Sequence, residues 1–304
     1  MRVEAVTSAQ NPKIKTLLAL QEKARLRKEM GLFVVEGRRE LEHCVEGGFE
    51  IDTVFICPEL MGSGEPCPSE NASLRSAPPI FDGPLPLTLP RVARFSEGQG
   101  SPEPAILEIM EKSGHIVDIT KELYNKVAYR GSTEGMIAEV RAKEATLESL
   151  KVKENPLIIV LEGVEKPGNL GAVLRSADAA GADAVLICDP LTDLYNPNLI
   201  RSSIGAVFTV PVVCCASEDA IKWLKAAKIR IYTAQLQDSE WYYDTDMKCA
   251  TAIAIGTEAT GLTGIWREAA DAHIKIPMLG RLDSLNASVS AAILLFEAVR
   301  QRNV

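Results

Sequence analysis

The residues best suited to chemistry lie in three loops of the C-terminal half of this 304-residue chain. The first loop, residues 162–171, is rich in glycine and leads into a predicted helix that carries Arg175. Glycines let a ligand approach the backbone, and the free N–H groups at a helix start attract anions. A guanidinium such as that of Arg175 binds phosphate. A glycine-rich turn often does nothing beyond turning the chain, so the other two loops must support this interpretation.

The second and third loops also follow predicted strands. Residues 255–262 place Glu258 between two glycines, and residues 276–286 end at Asn286, a good N-cap for the last helix. Taken singly, both loops fit a purely structural role. Ligands of open α/β sheets collect at the carboxyl ends of strands, so we expect the three loops to form one pocket. The glycine patterns of dinucleotide and P-loop sites are absent here, which disfavours a nucleotide-dependent oxidoreductase and a P-loop NTPase respectively.

The elements that position these loops alternate between strands and helices. This alternation predicts a mostly parallel sheet covered on both faces. We predict strands at 157–161, 184–188, 208–213, 230–234, 252–256 and 273–276, and helices at 172–180, 197–205, 218–227 and 286 to about 302.

The N-terminal part also has an α/β pattern, and a change in composition divides it. We predict helices at 10–28, 39–45, 105–112 and 121–127, and strands at 32–35, 51–57, 115–119 and 135–141. Nine of the seventeen prolines fall between Met61 and Pro104, which predicts an insertion rather than a domain. We therefore expect a domain at 1–141 with an insertion at about 61–104, a charged linker at 142–155, and a second domain at 156–304.

Composition limits the function classes. A net charge of −8 argues against a protein that coats nucleic acid, so any RNA contact must use a local basic patch. One such patch, which a solvated helix face would explain equally well, contains Lys13, Lys15, Arg25, Arg27, Arg38 and Arg39. No run of eighteen apolar residues or signal-peptide pattern occurs, so we expect a cytoplasmic protein without a membrane span.

The cysteines indicate no metal site. They number seven and lack metal-ligand spacing. The adjacent pair Cys214 and Cys215 falls in what reads as a buried strand, where thiols act as small hydrophobic groups.

Three segments, NLGAVLRSADAAGAD, IGTEATGL and IPMLGRLDSLNASVSAAILLFE, closely resemble the signature motifs of the SpoU (TrmH-like) family of RNA ribose methyltransferases, of the SPOUT class. TSAQNPKIKTLLAL and LFVVEGRRELE look like the substrate-binding domain that precedes the catalytic domain in many members. Modest departures are Lys166 in place of an acidic residue, and threonine at 257 and 260. The resemblance implies a C-terminal trefoil-knotted parallel-sheet catalytic domain, a smaller N-terminal α/β RNA-binding domain, and a homodimer.

The resemblance further implies 2′-O-ribose methylation of structured RNA with S-adenosyl-L-methionine as cofactor. Ribosomal RNA is the favoured substrate because a separate substrate domain suits a large folded RNA; transfer RNA and a non-catalytic ribosome-assembly role are the alternatives. The catalytic set carried over is Arg175, Asn169, Glu258, Ser284 and Asn286. The cofactor-binding set is Thr257, Gly256, Gly261, Ile276, Met278 and Leu285.

Overall fold

The computed structural model describes residues 3–61, 104–129, 134–281 and 284–303. The predicted Pro-rich insertion lies outside the described residues, except at its two ends. The described chain forms two sheets, one of five strands and one of seven.

The N-terminal sheet is mixed. Its strands run in the order β1-β4-β3-β5-β2, and β5 is antiparallel to both of its neighbours. The strands are β1 (Val3–Val6), β2 (Leu32–Glu36), β3 (Ile51–Ile56), β4 (Ser113–Ile119) and β5 (Met136–Arg141). The helices are α1 (Pro12–Glu22), α2 (Ala24–Met30), α3 (Arg38–Glu46), α4 (Pro58–Met61), α5 (Pro104–Glu111) and α6 (Lys121–Val127).

Two features of this domain differ from the sequence-based expectation. The predicted helix at 10–28 is two helices, because Lys23 is extended (φ −108°, ψ 102°) and separates α1 from α2. Strand β1 was not predicted at all. It is an edge strand with two exposed central residues, so its sequence lacks the alternation of a half-buried strand.

The C-terminal sheet is parallel throughout, with strand order β10-β12-β9-β11-β6-β7-β8. The strands are β6 (Leu157–Glu162), β7 (Ala184–Cys188), β8 (Val212–Cys215), β9 (Arg230–Ala234), β10 (Glu240–Trp241), β11 (Thr251–Ile255) and β12 (Ala272–Lys275). The helices are α7 (Pro167–Ala179), α8 (Pro197–Ser203), α9 (Ala206–Thr209), α10 (Ser217–Ala226), α11 (Gly264–Ala269) and α12 (Ala287–Arg302).

Both faces of this sheet are covered, as predicted. In β6 the side chains of Leu157, Ile159 and Leu161 enter one hydrophobic core, and those of Ile158 and Val160 enter the other. Alternate residues of a strand point to opposite faces, so two cores on one strand require a layer of helices on each side.

Several boundaries in this domain were predicted wrongly. Helix α7 begins at Pro167 rather than at 172, so Asn169 belongs to its first turn; proline suits this position because its missing N–H would be unpaired there. Residues 206–209 are helical, and the strand begins at Val212. Cys214 is exposed and Cys215 is half-buried, which corrects the expectation of a buried pair.

The two domains share a hydrophobic core. The ring of Phe33, from β2, stacks on Tyr195 of the C-terminal domain with centroids 4.1 Å apart and 10° between planes. Phe208 lies 5.9 Å from the same ring. Within the predicted linker, Leu147 is buried in the second core of the C-terminal domain. The linker is therefore packed against the fold rather than extended between separate bodies.

Candidate active site

Glu258 joins the three predicted loops. Its Oε1 accepts hydrogen bonds from Asn169 Nδ2 at 2.9 Å and from Asn286 Nδ2 at 2.7 Å, and its Oε2 accepts one from Lys166 Nζ at 2.9 Å. Asn286 Nδ2 also approaches Asn169 Oδ1 at 3.1 Å, while Asn286 Oδ1 caps α12 by accepting from the backbone N–H of Ser288. The expectation that these loops meet at one sheet edge is confirmed.

The hydrogen bonds from Lys166 and Asn169 lower the pKa of Glu258 below its ordinary value, because they stabilise the carboxylate. A charged Glu258 remains an acceptor for all three donors at neutral pH. Lys166, which stands where family members often have an acidic residue, therefore serves as the cationic partner of Glu258.

A cavity of about 330 Å³ lies beside this cluster. All six residues predicted to bind a cofactor line it, namely Gly256, Thr257, Gly261, Ile276, Met278 and Leu285. Glu258 and Ser284 of the predicted catalytic set line it as well. The cavity depends on a tight loop, because a Cβ added at Gly256 would clash with the backbone of Gly261.

The cavity also has walls that the sequence interpretation missed. They come from the end of β9 and the segment that follows it, residues 234–237, and from Arg267 and Lys275. Gln235 Nε2 donates to Gln237 O at 2.9 Å, while Gln235 Oε1 is buried and has no hydrogen-bond partner among the described residues. The only signal for this wall was its position after a strand, the place where ligands of such sheets collect.

Among the described residues, Arg175 is not one of the hydrogen-bond or ion-pair partners of Glu258. It is exposed on α7, and within the described ranges no ion pair or hydrogen bond of its guanidinium is observed. Since α7 begins at Pro167 and not at the predicted residue 172, Arg175 lies more than two turns from the helix start and not in the first turn that the sequence predicted. Its guanidinium is available to a ligand outside the fold.

The buried carboxylate of Glu162 holds the end of the second loop in place. Glu162, at the end of β6, accepts hydrogen bonds from the backbone N–H of Thr263 at 2.8 Å and from its hydroxyl at 2.6 Å. Glu162 is only 5% exposed, and Ser217 Oγ lies 3.3 Å from its Oε1. The sequence interpretation did not single out Glu162, which positions the segment directly after Gly261 and Leu262.

The predicted basic patch is only partly available. Arg27 is 4% exposed and pairs with Asp193 of the C-terminal domain, which contradicts its interpretation as an RNA contact. Ion pairs also engage Lys13 with Glu4, Arg25 with Glu29 and Arg38 with Glu42. Lys15 and Arg39 are exposed, and the described part of the chain offers neither an ion pair.

The described residues contain no helix long and apolar enough to cross a membrane. In the same ranges, no group of three or more His, Cys, Asp or Glu side chains is arranged to hold a metal ion.

Solved structures resemble the whole chain. A crystal structure of an RNA 2′-O ribose methyltransferase is 33% identical, with a TM-score of 0.73, and covers 99% of this chain and 100% of that one. The SpoU methyltransferase AviRb from Streptomyces viridochromogenes, in complex with the cofactor AdoMet, is 25% identical with a TM-score of 0.76, covering 97% and 99%.

Sequence relatives agree with this likeness. The 23S rRNA (guanosine-2′-O-)-methyltransferase RlmB of Vibrio cholerae is 33% identical over 205 residues, which cover 66% of this chain and 83% of that protein. The 23S rRNA (uridine(2479)-2′-O)-methyltransferase of Streptomyces viridochromogenes is 34% identical over 174 residues, or 55% of this chain and 60% of that protein. A model of the MRM3-like substrate binding domain matches residues 11–80, and that of the SpoU rRNA Methylase family matches residues 156–296. This chain belongs to the SpoU rRNA methylase family.

Proposed function

We propose that this protein transfers the methyl group of S-adenosylmethionine to a ribose 2′-hydroxyl of 23S ribosomal RNA. The observation that carries the proposal is the juxtaposition of the three-loop cluster at Glu258 with a cavity lined by all six predicted cofactor residues. Relatives named as 23S rRNA 2′-O-methyltransferases and the AdoMet complex of AviRb support the substrate and the cofactor.

The cavity fits this cofactor. Its volume of about 330 Å³ is in the range of small-molecule sites, and its apolar wall includes Ile276, Met278 and Leu294. The buried Oε1 of Gln235 offers an acceptor to a ligand hydroxyl or amino group once the side chain adjusts. Bound S-adenosylmethionine supplies an electrophilic methyl group on its sulfonium.

The chain's own residues orient the substrate around that group. Arg175 binds an RNA phosphate and stabilises negative charge that develops on the attacking 2′-oxygen. It is not the proton acceptor, because a guanidinium stays protonated. Glu258, Asn169 and Asn286 hold the loops in register, and Ser284 orients the nucleotide from the cavity wall.

Two structural properties belong to the same proposal. The C-terminal segment forms a trefoil knot: β12 lies near the sheet edge, and the chain then returns so that α12 packs on α7 and on the central strands β6 and β11. The protein acts as a homodimer through α12, whose exposed Val289 and Phe296 lie two turns apart on one face, next to exposed Leu285. It works in the cytoplasm on RNA contacted by both domains.

Two measurements test the function. Calorimetry with S-adenosylhomocysteine should show one site, whereas an intact protein that binds neither this product nor the methyl donor would be a non-catalytic RNA-binding factor. Mapping of ribose methylation across total RNA, from cells with and without the gene, should show one mark lost from 23S ribosomal RNA. A mark lost from transfer RNA instead would overturn the proposed substrate.

A further inference from the structure

Three ionisable side chains among the described residues line the cavity, namely Glu258, Lys275 and Arg267. Glu258 is held by its three donors. The ammonium of Lys275 lies 4.8 Å from the centre of the Trp241 ring, in a cation–π contact. Arg267 is exposed, and the described part of the chain provides no ion pair or hydrogen bond for its guanidinium. Arg267 is therefore the cation of the wall that remains available to a ligand.

The backbone that carries Arg267 is fixed by buried neighbours. It lies on α11 directly after Trp266, which is fully buried and donates from its indole N–H to Ser217 Oγ at 3.0 Å. Ala269, two residues further on, is buried in the same core. Because the residues on both sides of Arg267 are packed in the core, the backbone of Arg267 has a fixed position at the cavity wall.

S-adenosylmethionine carries one anionic group, the carboxylate of its methionine portion, together with a positive sulfonium and ammonium. Glu258 repels a second carboxylate and attracts the positive groups, while the planar fork of a guanidinium matches a carboxylate. We propose that Arg267 binds the carboxylate of the cofactor. This assignment rests on the proposed function and gives Arg267 no role in the chemical step.

Two ligands separate contacts with the amino-acid end of the cofactor from contacts with its adenosine and sulfur. S-adenosylhomocysteine has the carboxylate and the ammonium, whereas 5′-methylthioadenosine keeps the adenosine and the sulfur but lacks both charged groups. Of these two groups, a guanidinium attracts only the carboxylate. Calorimetry on the full chain should show that Arg267→Gln weakens the affinity for S-adenosylhomocysteine about tenfold, or roughly 1.4 kcal/mol. The affinity for 5′-methylthioadenosine should change less than about twofold. Arg267→Lys, which keeps the charge and loses the fork, should give an intermediate affinity.

Lys225→Gln is the matched control, because it removes one positive charge from an exposed position on α10 that does not line the cavity. It should leave both affinities unchanged. An equal loss of affinity for both ligands in Arg267→Gln, or no loss of affinity for S-adenosylhomocysteine, would overturn the assignment. Failure of the unsubstituted protein to bind S-adenosylhomocysteine would instead remove the proposed function itself.

Discussion

At the scale of single residues, the site divides into a connected part and a free part. Glu258 is bonded to Lys166, Asn169 and Asn286, so a change at any of these disturbs three loops together. Arg175 has no such bonds among the described residues. Its substitution therefore reports on contacts with substrate more cleanly than substitution within the cluster.

Arg175→Ala should lower the rate of methyl transfer about 100- to 1000-fold, the usual cost of removing a group that stabilises transition-state charge. The affinity for S-adenosylhomocysteine should stay within about twofold, since Arg175 does not line the cavity. Single-turnover methylation and calorimetry measure the two quantities. Arg175→Lys keeps the charge and should retain part of the rate. Full turnover by the Ala variant would remove Arg175 from the mechanism.

Glu139, on β5, makes stability depend on pH. It is 6% exposed, and burial together with nearby Asp52 raises its pKa from the ordinary 4.5 to about 7. Below about pH 4.5 the carboxyl is neutral in both the folded and the unfolded state. As pH rises to about 7 the unfolded state ionises first, so the free energy of unfolding falls by roughly 3 kcal/mol.

Glu139→Gln should remove this dependence. The variant should match the original protein near pH 4 and exceed it by up to about 3 kcal/mol at pH 8, as measured by urea denaturation at each pH. The exposed Glu111→Gln is the control and should show no such divergence. Equal stability of the Glu139 variant and the original protein at pH 8 would contradict the assignment.

The strand pattern alone predicted part of the site, because strand ends meet in a parallel sheet and the loops after them were therefore expected to converge. The six cofactor residues on these loops came from the resemblance to the SpoU family, and all six line one cavity. Arg27 was misassigned because a sequence gives its charge but not its partner, Asp193, which lies 166 residues further along the chain. Gln235 and Arg267 were missed because nothing in their local sequence distinguishes them from surface residues.

At the scale of elements, the first loop depends on close packing of α7 on α8. A Cβ added at Gly171 would clash with Ser202 Oγ and lie 2.8 Å from the backbone nitrogen of Ser203. Gly171→Ala should therefore lower the free energy of unfolding by about 1–3 kcal/mol, as overpacking does. Gly168→Ala is a matched control in the same helix, since nothing lies within 4 Å of its added Cβ. Equal effects of the two substitutions would show that packing is not the cause.

Element boundaries were harder to predict than element types. The start of α7 was misplaced because two of its first five residues are glycines, which read as a loop, while the packing of Gly171 on α8 favours the helix. The two-residue strand β10 was missed because it is held by pairing with β12 and is too short to carry a periodic pattern.

At the scale of the whole molecule, an acidic protein must bind RNA through a small number of Lys and Arg side chains. Neutralising Lys15 and Arg39 together should reduce the slope of log affinity against log salt by about 2, if each contacts a phosphate. Filter binding on a 23S ribosomal RNA fragment between 50 and roughly 200 mM salt measures the slope. Lys222→Gln with Lys225→Gln removes the same charge from α10 and should leave the slope unchanged. Equal slopes in both double variants would place the RNA elsewhere.

The arrangement of the domains was not predictable from periodicity. Alternating elements predicted two α/β units, and both are present. Their shared core depends on Phe33 meeting Tyr195 and Phe208, a contact between segments far apart in sequence. The proposed knot likewise leaves no mark on the local sequence pattern, because a knot depends only on the path of the chain.

The contact of Phe33 with Tyr195 and Phe208 can form only after the N-terminal domain has been synthesised. The last strand of the N-terminal sheet is complete at Arg141, yet Phe33 lacks its stacking partners until Tyr195 and Phe208 have been made. At 5–20 residues per second the ribosome needs roughly 3 to 14 s to add the intervening segment of about 70 residues. During that interval the face of the Phe33 ring that stacks on Tyr195 is uncovered in the nascent N-terminal domain, and chaperones that bind apolar surface can associate with it.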